Sequence, residues 1–255
     1  WQKSQGYKEA EKHFDLIMDK AESVQYPPSA SGMTHQGAQK TRVSIPRSAI
    51  TYCAQHLGVT ENALVMTAVM QTLHRITREH HIMITTISNG RDTTDLATGF
   101  GMFVQTLPVV SHFGNQSVAD TVKGMHEQLL ATIDADKYPF TSIVERYGAS
   151  PQIMVAYQGD VLDDAISLGN AQGEQMPLRL DTVKTPVSID VWNRAGNQLE
   201  LEIEYDSNIY AEADMQTFGK AITALLQRMS TAQGDTPVNS LAITTDEEQA
   251  QLIQL

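Results

Sequence analysis

The stretch that decides the fold is Gly101-Met-Phe-Val-Gln-Thr-Leu-Pro108, which lies between Asn89-Gly-Arg91 and Tyr138-Pro-Phe140. Glycine allows the backbone to turn before an apolar run of strand length, and the later proline marks the start of a helix. The three elements therefore predict a glycine-containing loop, a strand and a helix start, in that order along the chain.

Hydrophobic periodicity extends this pattern in both directions. Strands are predicted at Thr41–Ile45, Ile82–Ile87, Phe103–Val110 and Ile153–Tyr157, and as a hairpin of Val187–Val191 with Leu199–Tyr205. Helices are predicted at Lys3–Ser23, from Ser48 to near Gly58, after the N-caps Thr60 and Ser117, and at Met215–Met229. Strands that alternate with helices, followed by a hairpin and a helix, predict an α/β layer fold with a mixed sheet and flanking helices.

The distribution of breakers and polar residues divides the chain into three segments. Residues 1–40 are a leading helix and an exposed linker, since Tyr26–Gly37 is rich in Pro, Ser and Gly. Residues 41–230 hold the alternating strands and helices. Residues 231–255 are polar and are expected to connect to a further domain. The absence of an initiator Met before Trp1 leads us to expect a longer polypeptide.

Composition excludes several classes of protein. The 18 Lys and Arg against 30 Asp and Glu give a net charge of −12, which disfavours binding to a nucleic-acid backbone. No apolar run approaches the roughly 18 to 20 residues that span a bilayer, so we expect a soluble protein with no membrane contact. The single Cys53 excludes an intramolecular disulfide and fits a reducing cytoplasm. It also makes a structural zinc site improbable on composition.

As an ordered set, these elements resemble the downstream half of a condensation domain from nonribosomal peptide synthetases. The segment from Gly101 to Thr106 is similar to the family's Gly-x-Phe-Val-Asn-Thr element, with Gln105 in place of Asn. Ala135-Asp-Lys137 replaces the family's His/Asn-Gln-Asp before Tyr-Pro-Phe, and its Arg-Asp-x-Ser-Arg-Asn-Pro-Leu element is reduced to Gly148–Pro151. The resemblance implies a chloramphenicol-acetyltransferase-like fold, of which this chain is one half of a two-lobed domain.

The resemblance also implies which residues matter. The candidates for lining a substrate tunnel between the two halves are Arg91, Gly101, Phe103, Gln105 and Thr106. The residues that mark the family's sequence motifs are Trp1, Tyr138, Pro139 and Phe140. The family's His-His-x-x-x-Asp-Gly motif, whose second His is catalytic, is expected upstream of Trp1. No catalytic residue and no metal ligand are therefore assigned within this chain.

In this family, amide bonds form between aminoacyl or peptidyl units that carrier proteins present on phosphopantetheine arms. The implied partners are the N-terminal condensation subdomain, donor and acceptor carrier proteins and a downstream adenylation domain, with no directly bound cofactor. This chain alone is then expected to be inactive. Two alternatives stay open: a non-catalytic module of the same fold that docks carrier or tailoring proteins, and an acyltransferase of the wider superfamily. Epimerisation and heterocyclisation relatives also stay open.

Several other residue patterns have plainer interpretations. His80-His81 begins like the catalytic motif, but Thr85 and Thr86 occupy its Asp and Gly places, which favours two solvated histidines at a helix-to-strand junction. Arg91 either holds its neighbouring loop or lines the tunnel, and the first role is favoured. Asp160, Asp163 and Asp164 are interpreted as a solvated acidic loop. Glu200, Glu202 and Glu204 are interpreted as the solvent-facing side of a strand. Met66, Met70, Met83 and Met102 are interpreted as core-filling residues.

Overall fold

The computed structural model describes residues 5–91, 99–160, 165–174 and 181–253. Within these residues the helices are α1 (Gln5–Ile17), α2 (Ser48–Leu57), α3 (Glu61–Thr77), α4 (Val118–Asp134), α5 (Phe140–Tyr147), α6 (Glu212–Thr231) and α7 (Asp246–Ile253), with a 3-10 turn at Val238–Ser240. The strands are β1 (Glu22–Ser23), β2 (Ala38–Pro46), β3 (His81–Ser88), β4 (Gln105–His112), β5 (Ile153–Gly159), β6 (Ala165–Leu168), β7 (Ala171–Glu174), β8 (Val187–Arg194) and β9 (Gln198–Asp206).

Seven of the strands form one mixed sheet in the order β1-β3-β5-β8-β9-β2, and β4 also pairs with β3. Strand β3 runs antiparallel to β4 and parallel to β1 and β5. Strands β8 and β9 form the predicted antiparallel hairpin, which β2 extends on the far side of β9. The predicted α/β fold with a mixed sheet and flanking helices is confirmed.

The main core lies between one face of this sheet and helices α2, α3, α4 and α6. Every residue from Ala63 to Leu73 of α3 is buried, because this helix packs against α4 and α6 as well as against β3. The predicted N-caps are confirmed: the Thr60 hydroxyl accepts from the N–H of Ala63, and the Ser117 hydroxyl accepts from the N–H of Asp120. Both caps satisfy backbone donors that the first helical turn leaves unpaired.

A second, smaller core covers part of the opposite face of the sheet. It is built from α1, α5 and the sheet residues Met83 and Val110, with Phe14 fully buried at its centre. The neighbouring residues Ile82 and Val109 point into the main core instead. Strands β3 and β4 are therefore buried on both faces over this stretch, which explains their continuous apolar character.

Two predicted boundaries are wrong. The helix predicted over Lys3–Ser23 ends at Ile17, because Glu22–Ser23 pairs in parallel with β3. The strand predicted over Phe103–Val110 is displaced by two residues and runs from Gln105 to His112, since its pairing with β3 begins opposite Ser88. In both cases the sheet partner, which local periodicity cannot reveal, sets the boundary.

The buried face of α4 also differs from the prediction at its last turn. The helical spacing of apolar residues predicts one buried row: Val118, Val122, Met125, Leu129 and Ile133. Ile133 is nevertheless 44% exposed, whereas the adjacent Thr132 is buried. The Thr132 hydroxyl lies 3.1 Å from the Nε2 atom of His13 on α1. Because α1 covers this side of α4, a polar residue with a partner occupies the interior and the apolar one faces outward.

The two flanking segments pack against the body of the protein. In the predicted linker, the Tyr26 ring lies 4.6 Å from that of Phe218 on α6. In the predicted connector, Val238 is fully buried and its carbonyl accepts from Arg75 at 2.6 Å. Arg228 donates to two further carbonyls of this connector, those of Ala242 and Thr244. The domain boundaries after residue 40 and before residue 231 stay predictions.

The acidic row on β9 is only partly solvated, so its interpretation as a wet face is wrong at the central position. Glu202 is 7% exposed and accepts hydrogen bonds from Lys40 at 2.6 Å and Arg42 at 2.8 Å. Burial alone would raise the pKa of Glu202, but these two cations outweigh it and lower the pKa below its ordinary value of 4.5. Two cross-strand ion pairs therefore stabilise the junction of β9 with β2.

We expect Glu202→Gln to lower the free energy of unfolding at pH 7 by about 1 kcal/mol, since both cations stay partly solvated. The folded-state pKa is lowered, so the carboxylate's contribution is present above pH 4.5 and is lost as the pH falls through the folded value. The difference in the free energy of unfolding between Glu202→Gln and the parent protein should therefore become smaller below pH 4.5, as measured by urea titration. Glu145→Gln, at an exposed helix position, controls for net charge; equal effects of the two changes would contradict the prediction.

Candidate functional site

Two of the three motif-bearing segments meet directly at one end of β3 and β4. Ser88, the last residue of β3, lies opposite Gln105, the first residue of β4. Asn89–Arg91 therefore leaves β3 beside the segment Gly99–Thr106 that leads into β4. The segment 136–140 joins them through a buried contact between Asp136 and Ser88, which is described below. We call these three segments together the motif corner.

Gly90 fixes how closely the two loops of the motif corner approach each other. Its φ of 62° lies in the left-handed region, where residues with a side chain are strained. A methyl group at this position would overlap the carbonyl oxygen of Phe103. The N–H of Gly90 donates to the Ser88 hydroxyl at 3.2 Å. Glycine is thus required here both for the backbone angle and for the close contact.

Arg91 ties the following loop together. Its guanidinium donates to the carbonyl of Gly99 at 2.8 Å and to that of Gly101 at 3.2 Å. The same group lies 4.7 Å from the centre of the Phe103 ring, within the range of a cation–π contact. These contacts are those of a residue that holds its neighbouring loop. A role in lining a tunnel stays a prediction.

The segment before β4 exposes an unusual set of large apolar side chains. Phe100 is fully exposed, Met102 is 93% exposed and Val104 is 52% exposed, and we call these three the apolar ridge. The interpretation of Met102 as a core residue is therefore wrong, whereas Met66, Met70 and Met83 are buried as predicted. These three residues lie on one short segment directly before β4, in which the intervening Phe103 is half-buried.

The remaining tunnel candidates lie at the base of this segment. Gly101 is exposed with a φ of 151°, and Phe103 is half-buried beneath Arg91. Gln105 is half-buried, and its side-chain amide donates to the Phe103 carbonyl at 3.4 Å. Thr106 is also half-buried and pairs with Ile87 of β3. The structure thus brings Arg91, Gly101, Phe103 and Gln105 into one contact network.

The Tyr-Pro-Phe element anchors the corner to the second core. Tyr138 is 2% exposed, and its ring lies 5.0 Å from Tyr7 and 5.4 Å from Phe14 of α1. Burial, followed by the hydrogen bond with Tyr7, raises the pKa of Tyr138 to about 12, so the phenol stays protonated at neutral pH. Pro139 precedes the first residue of α5, Phe140, as predicted.

One contact in the motif corner was missed by the sequence analysis. Asp136 is buried at 6% exposure and accepts from the Ser88 hydroxyl at 2.7 Å. It lies two residues before Tyr138, in the part of the sequence where the chain departs from the pattern of the family that it resembles. The signal in the sequence was an acidic residue two positions before Tyr138-Pro-Phe140, but only the fold supplies its partner.

The two adjacent histidines lie at the other end of β3 and do not join the motif corner. His80 is exposed, with its ring tilted against that of His74 at 5.0 Å, and His81 begins β3, so both lie at the predicted junction. The Nδ1 atom of His81 is 2.7 Å from the Nδ1 atom of His112, its cross-strand partner. Burial, and then the neighbouring His81, lower the pKa of His112.

Other candidate chemistry is sparse in the described part of the chain. Among residues 5–91, 99–160, 165–174 and 181–253, no group of three or more His, Cys, Asp or Glu could hold a metal ion. Asp160 is exposed, whereas Asp163, Asp164 and Trp1 lie outside the described residues. No helix of the described chain has both the length and the apolar character needed to cross a membrane.

Comparisons with known proteins point to one family. The family model described as Condensation domain matches residues 1–253. Bacitracin synthase 1 of Bacillus licheniformis is 23% identical over 214 residues, which make up 80% of this chain and 4% of that protein.

Solved structures share the fold over most of this chain. The first condensation domain of the calcium-dependent antibiotic synthetase, in complex with a substrate analogue, has a TM-score of 0.75 at 15% identity over 96% of this chain and 55% of its own. The X-domain in complex with OxyB from teicoplanin biosynthesis has a TM-score of 0.78 at 14% identity, over 96% of this chain and 57% of its own. The chain thus spans little more than half of either structure.

Gly90→Ala should be far more destabilising than a glycine change that adds only backbone strain. Gly58 has a similar φ of 68°, but a methyl group there would meet nothing within 4 Å. We expect Gly58→Ala to cost about 1 kcal/mol and Gly90→Ala about 3 kcal/mol, because the second also displaces the Phe103 carbonyl. Thermal melts of the two variants measure the difference. Equal losses would show that the contact between the two loops is not tight.

Proposed function

This chain belongs to the condensation-domain family, and from that premise we propose that it forms the C-terminal part of an amide-forming condensation domain. The observation that carries the proposal is the match to the family over residues 1–253 together with the convergence of the family's sequence elements in the motif corner. We propose that the complete domain joins carrier-bound aminoacyl or peptidyl thioesters in nonribosomal peptide synthesis.

The catalytic base is proposed to come from a segment outside this chain. The pair His80-His81 lacks the Asp and Gly of the family motif, and His81 is engaged with His112 at the end of β3 far along the strand from the motif corner. The chain spans 55% and 57% of the two solved structures to which it was compared, so each of them has a further portion that this chain does not match. We assign the histidine motif to such a portion.

In the proposed reaction, the acceptor's α-amine attacks the donor's thioester carbonyl. A C–N bond forms, the C–S bond breaks, and the donor's phosphopantetheine leaves as a thiol after one proton passes from nitrogen to sulfur. The contribution of this chain is a rigid wall that aligns the two arms, since alignment governs such bimolecular steps. Gly101, Phe103, Gln105 and Thr106 are the proposed wall, with Arg91 and Gly90 fixing its backbone.

The apolar ridge is proposed to pack against the N-terminal part of the same domain. Three large apolar side chains exposed on one segment favour burial against another surface. Donor and acceptor carriers would approach from outside the two parts, and the connector that ends in α7 would lead to an adenylation domain. A reducing cytoplasm, in which Cys53 remains a buried free thiol, fits this assignment.

A second candidate function is a docking module that has lost catalysis. The observation that favours it is the similarity in fold to the X-domain, which was solved in complex with OxyB. In that case the chain would recruit a tailoring protein to a carrier rather than form amides. The two candidates differ in a simple way: only the first requires amide product when both carriers are loaded.

The deciding experiment is a condensation assay on the full-length polypeptide with loaded donor and acceptor carriers. We expect mass spectrometry to detect an amide product on the acceptor carrier, and none when this chain alone replaces the polypeptide. His81→Ala in the full-length protein serves as a control and should leave the product unchanged. Loss of product in that control would contradict the placement of the base outside this chain, and its absence from the unmodified protein would favour the docking module.

The tunnel assignment of Gln105 is tested against a geometrically matched glutamine. Gln105 and Gln198 each begin a strand, and each donates at 3.4 Å to the carbonyl two residues earlier. We expect Gln105→Ala to lower the turnover of the full-length enzyme about tenfold to a hundredfold, because small displacements of the reacting groups are costly. Gln198→Ala should leave turnover unchanged.

Melting temperatures of both glutamine variants should stay within a few degrees of the parent, since each loses one weak, partly solvated hydrogen bond. Two outcomes would contradict the tunnel assignment. One is unchanged turnover in Gln105→Ala. The other is a loss of turnover that tracks a loss of melting temperature equally in both variants, which would make the segment a scaffold.

A further inference from the structure

A series of contacts runs from Asp136, between α4 and α5, to the proposed tunnel wall. The Ser88 hydroxyl donates to the Asp136 carboxylate at 2.7 Å and accepts from the N–H of Gly90 at 3.2 Å. Gly90 lies directly against the carbonyl of Phe103, and the side-chain amide of Gln105 donates to that same carbonyl. Four successive contacts thus connect Asp136 with Gln105.

The polar groups in this series of contacts pair as hydrogen-bond donor with acceptor. The Ser88 hydroxyl uses its single proton toward Asp136 and a lone pair toward Gly90. Both side chains are shielded from water, with Asp136 6% and Ser88 9% exposed. Removing either partner would leave a polar group buried without its match, which is more costly than losing an exposed hydrogen bond. Each of the two residues therefore stabilises the buried position of the other.

We infer that Asp136 is a positioning residue for the proposed condensation reaction. Through Ser88 and Gly90 it sets the position of the Phe103 carbonyl and thereby the orientation of the Gln105 side chain. Asp136 does not touch the proposed tunnel itself. The inference rests on the proposed function, because Gln105 matters for turnover only if the segment Gly99–Thr106 lines the tunnel.

The position of Asp136 also links the tunnel wall to the second core. Asp136 precedes Tyr138, whose ring packs against Phe14 of α1. On α5, Arg146 pairs with Asp15 of α1 at 2.9 Å. A change in how α1 and α5 pack would therefore be transmitted to Ser88 through the Asp136 carboxylate.

The first test measures protection of the wall in the purified chain, without any assay of activity. All chains in this test carry Phe100→Ser, which removes the exposed chymotrypsin site three residues before Phe103. Chymotrypsin cleavage after Phe103, which is half-buried under Arg91, then reports local opening of the segment. We expect Asp136→Ala and Ser88→Ala each to raise the rate of this cleavage about tenfold, since a buried hydrogen bond to a carboxylate is lost. Asp136→Asn keeps an acceptor oxygen and should retain most of the protection.

Ser188→Ala is the matched control for this test. Ser188 lies in the same sheet with 6% exposure, and its hydroxyl is hydrogen-bonded to Thr185 at 2.8 Å, away from the motif corner. It should lower the melting temperature about as much as Ser88→Ala without changing cleavage after Phe103. Equal cleavage in Asp136→Ala and the parent chain would overturn the inference. A comparable rise in the rate of cleavage after Phe103 in Ser188→Ala would overturn it too, because it would show that a general loss of stability is enough to expose this site.

The second test uses the full-length polypeptide and separates the inference from the proposed function. We expect Asp136→Ala to lower kcat for amide formation about tenfold with an unchanged KM for the loaded acceptor carrier, because alignment rather than binding is lost. Asp136→Asn should restore most of kcat. A normal kcat in Asp136→Ala, despite faster cleavage after Phe103, would overturn the positioning role. Absence of product from the unmodified polypeptide would instead overturn the proposed function.

Discussion

The antiparallel register between β3 and β4 is the constraint on which the motif corner depends. It places Ser88 opposite Gln105, so that the loop after β3 lies beside the segment that enters β4. A slip of one residue would turn Met83 and Val110 away from the second core, because alternate residues of a strand face opposite sides. Burial on both faces therefore fixes the register, and the register fixes the corner.

The corner itself is stabilised mainly by backbone groups. Gly90 lies against the Phe103 carbonyl, and Arg91 binds the carbonyls of Gly99 and Gly101. Such contacts define the path of the chain while leaving the outward side chains free to contact another surface. This arrangement explains how an ordered segment can expose the apolar ridge. It agrees with the proposal that this segment forms a wall that becomes complete only against a further portion of the domain.

The sequence predicted most of the elements because their signals are local. The caps Thr60 and Ser117, the alternation of β9 and the apolar face of α6 were each recognisable within about 20 residues. Errors arose where a distant partner decided the outcome. Glu22–Ser23 became a strand because β3 lies beside it, and Glu202 became buried because the cations of β2 reach across to it.

The sequence by itself determined the fold class, the family resemblance and the order of the three elements in the motif corner. Periodicity and turn residues act over short distances, so they can be interpreted without knowing what packs against them. Only the tertiary structure decided that Met102 faces outward, that His81 pairs with His112, and that Asp136 meets Ser88. Each of the two pairs joins residues more than 30 positions apart, and Met102 has no burying partner in the described chain, so the paths of whole strands determine these outcomes.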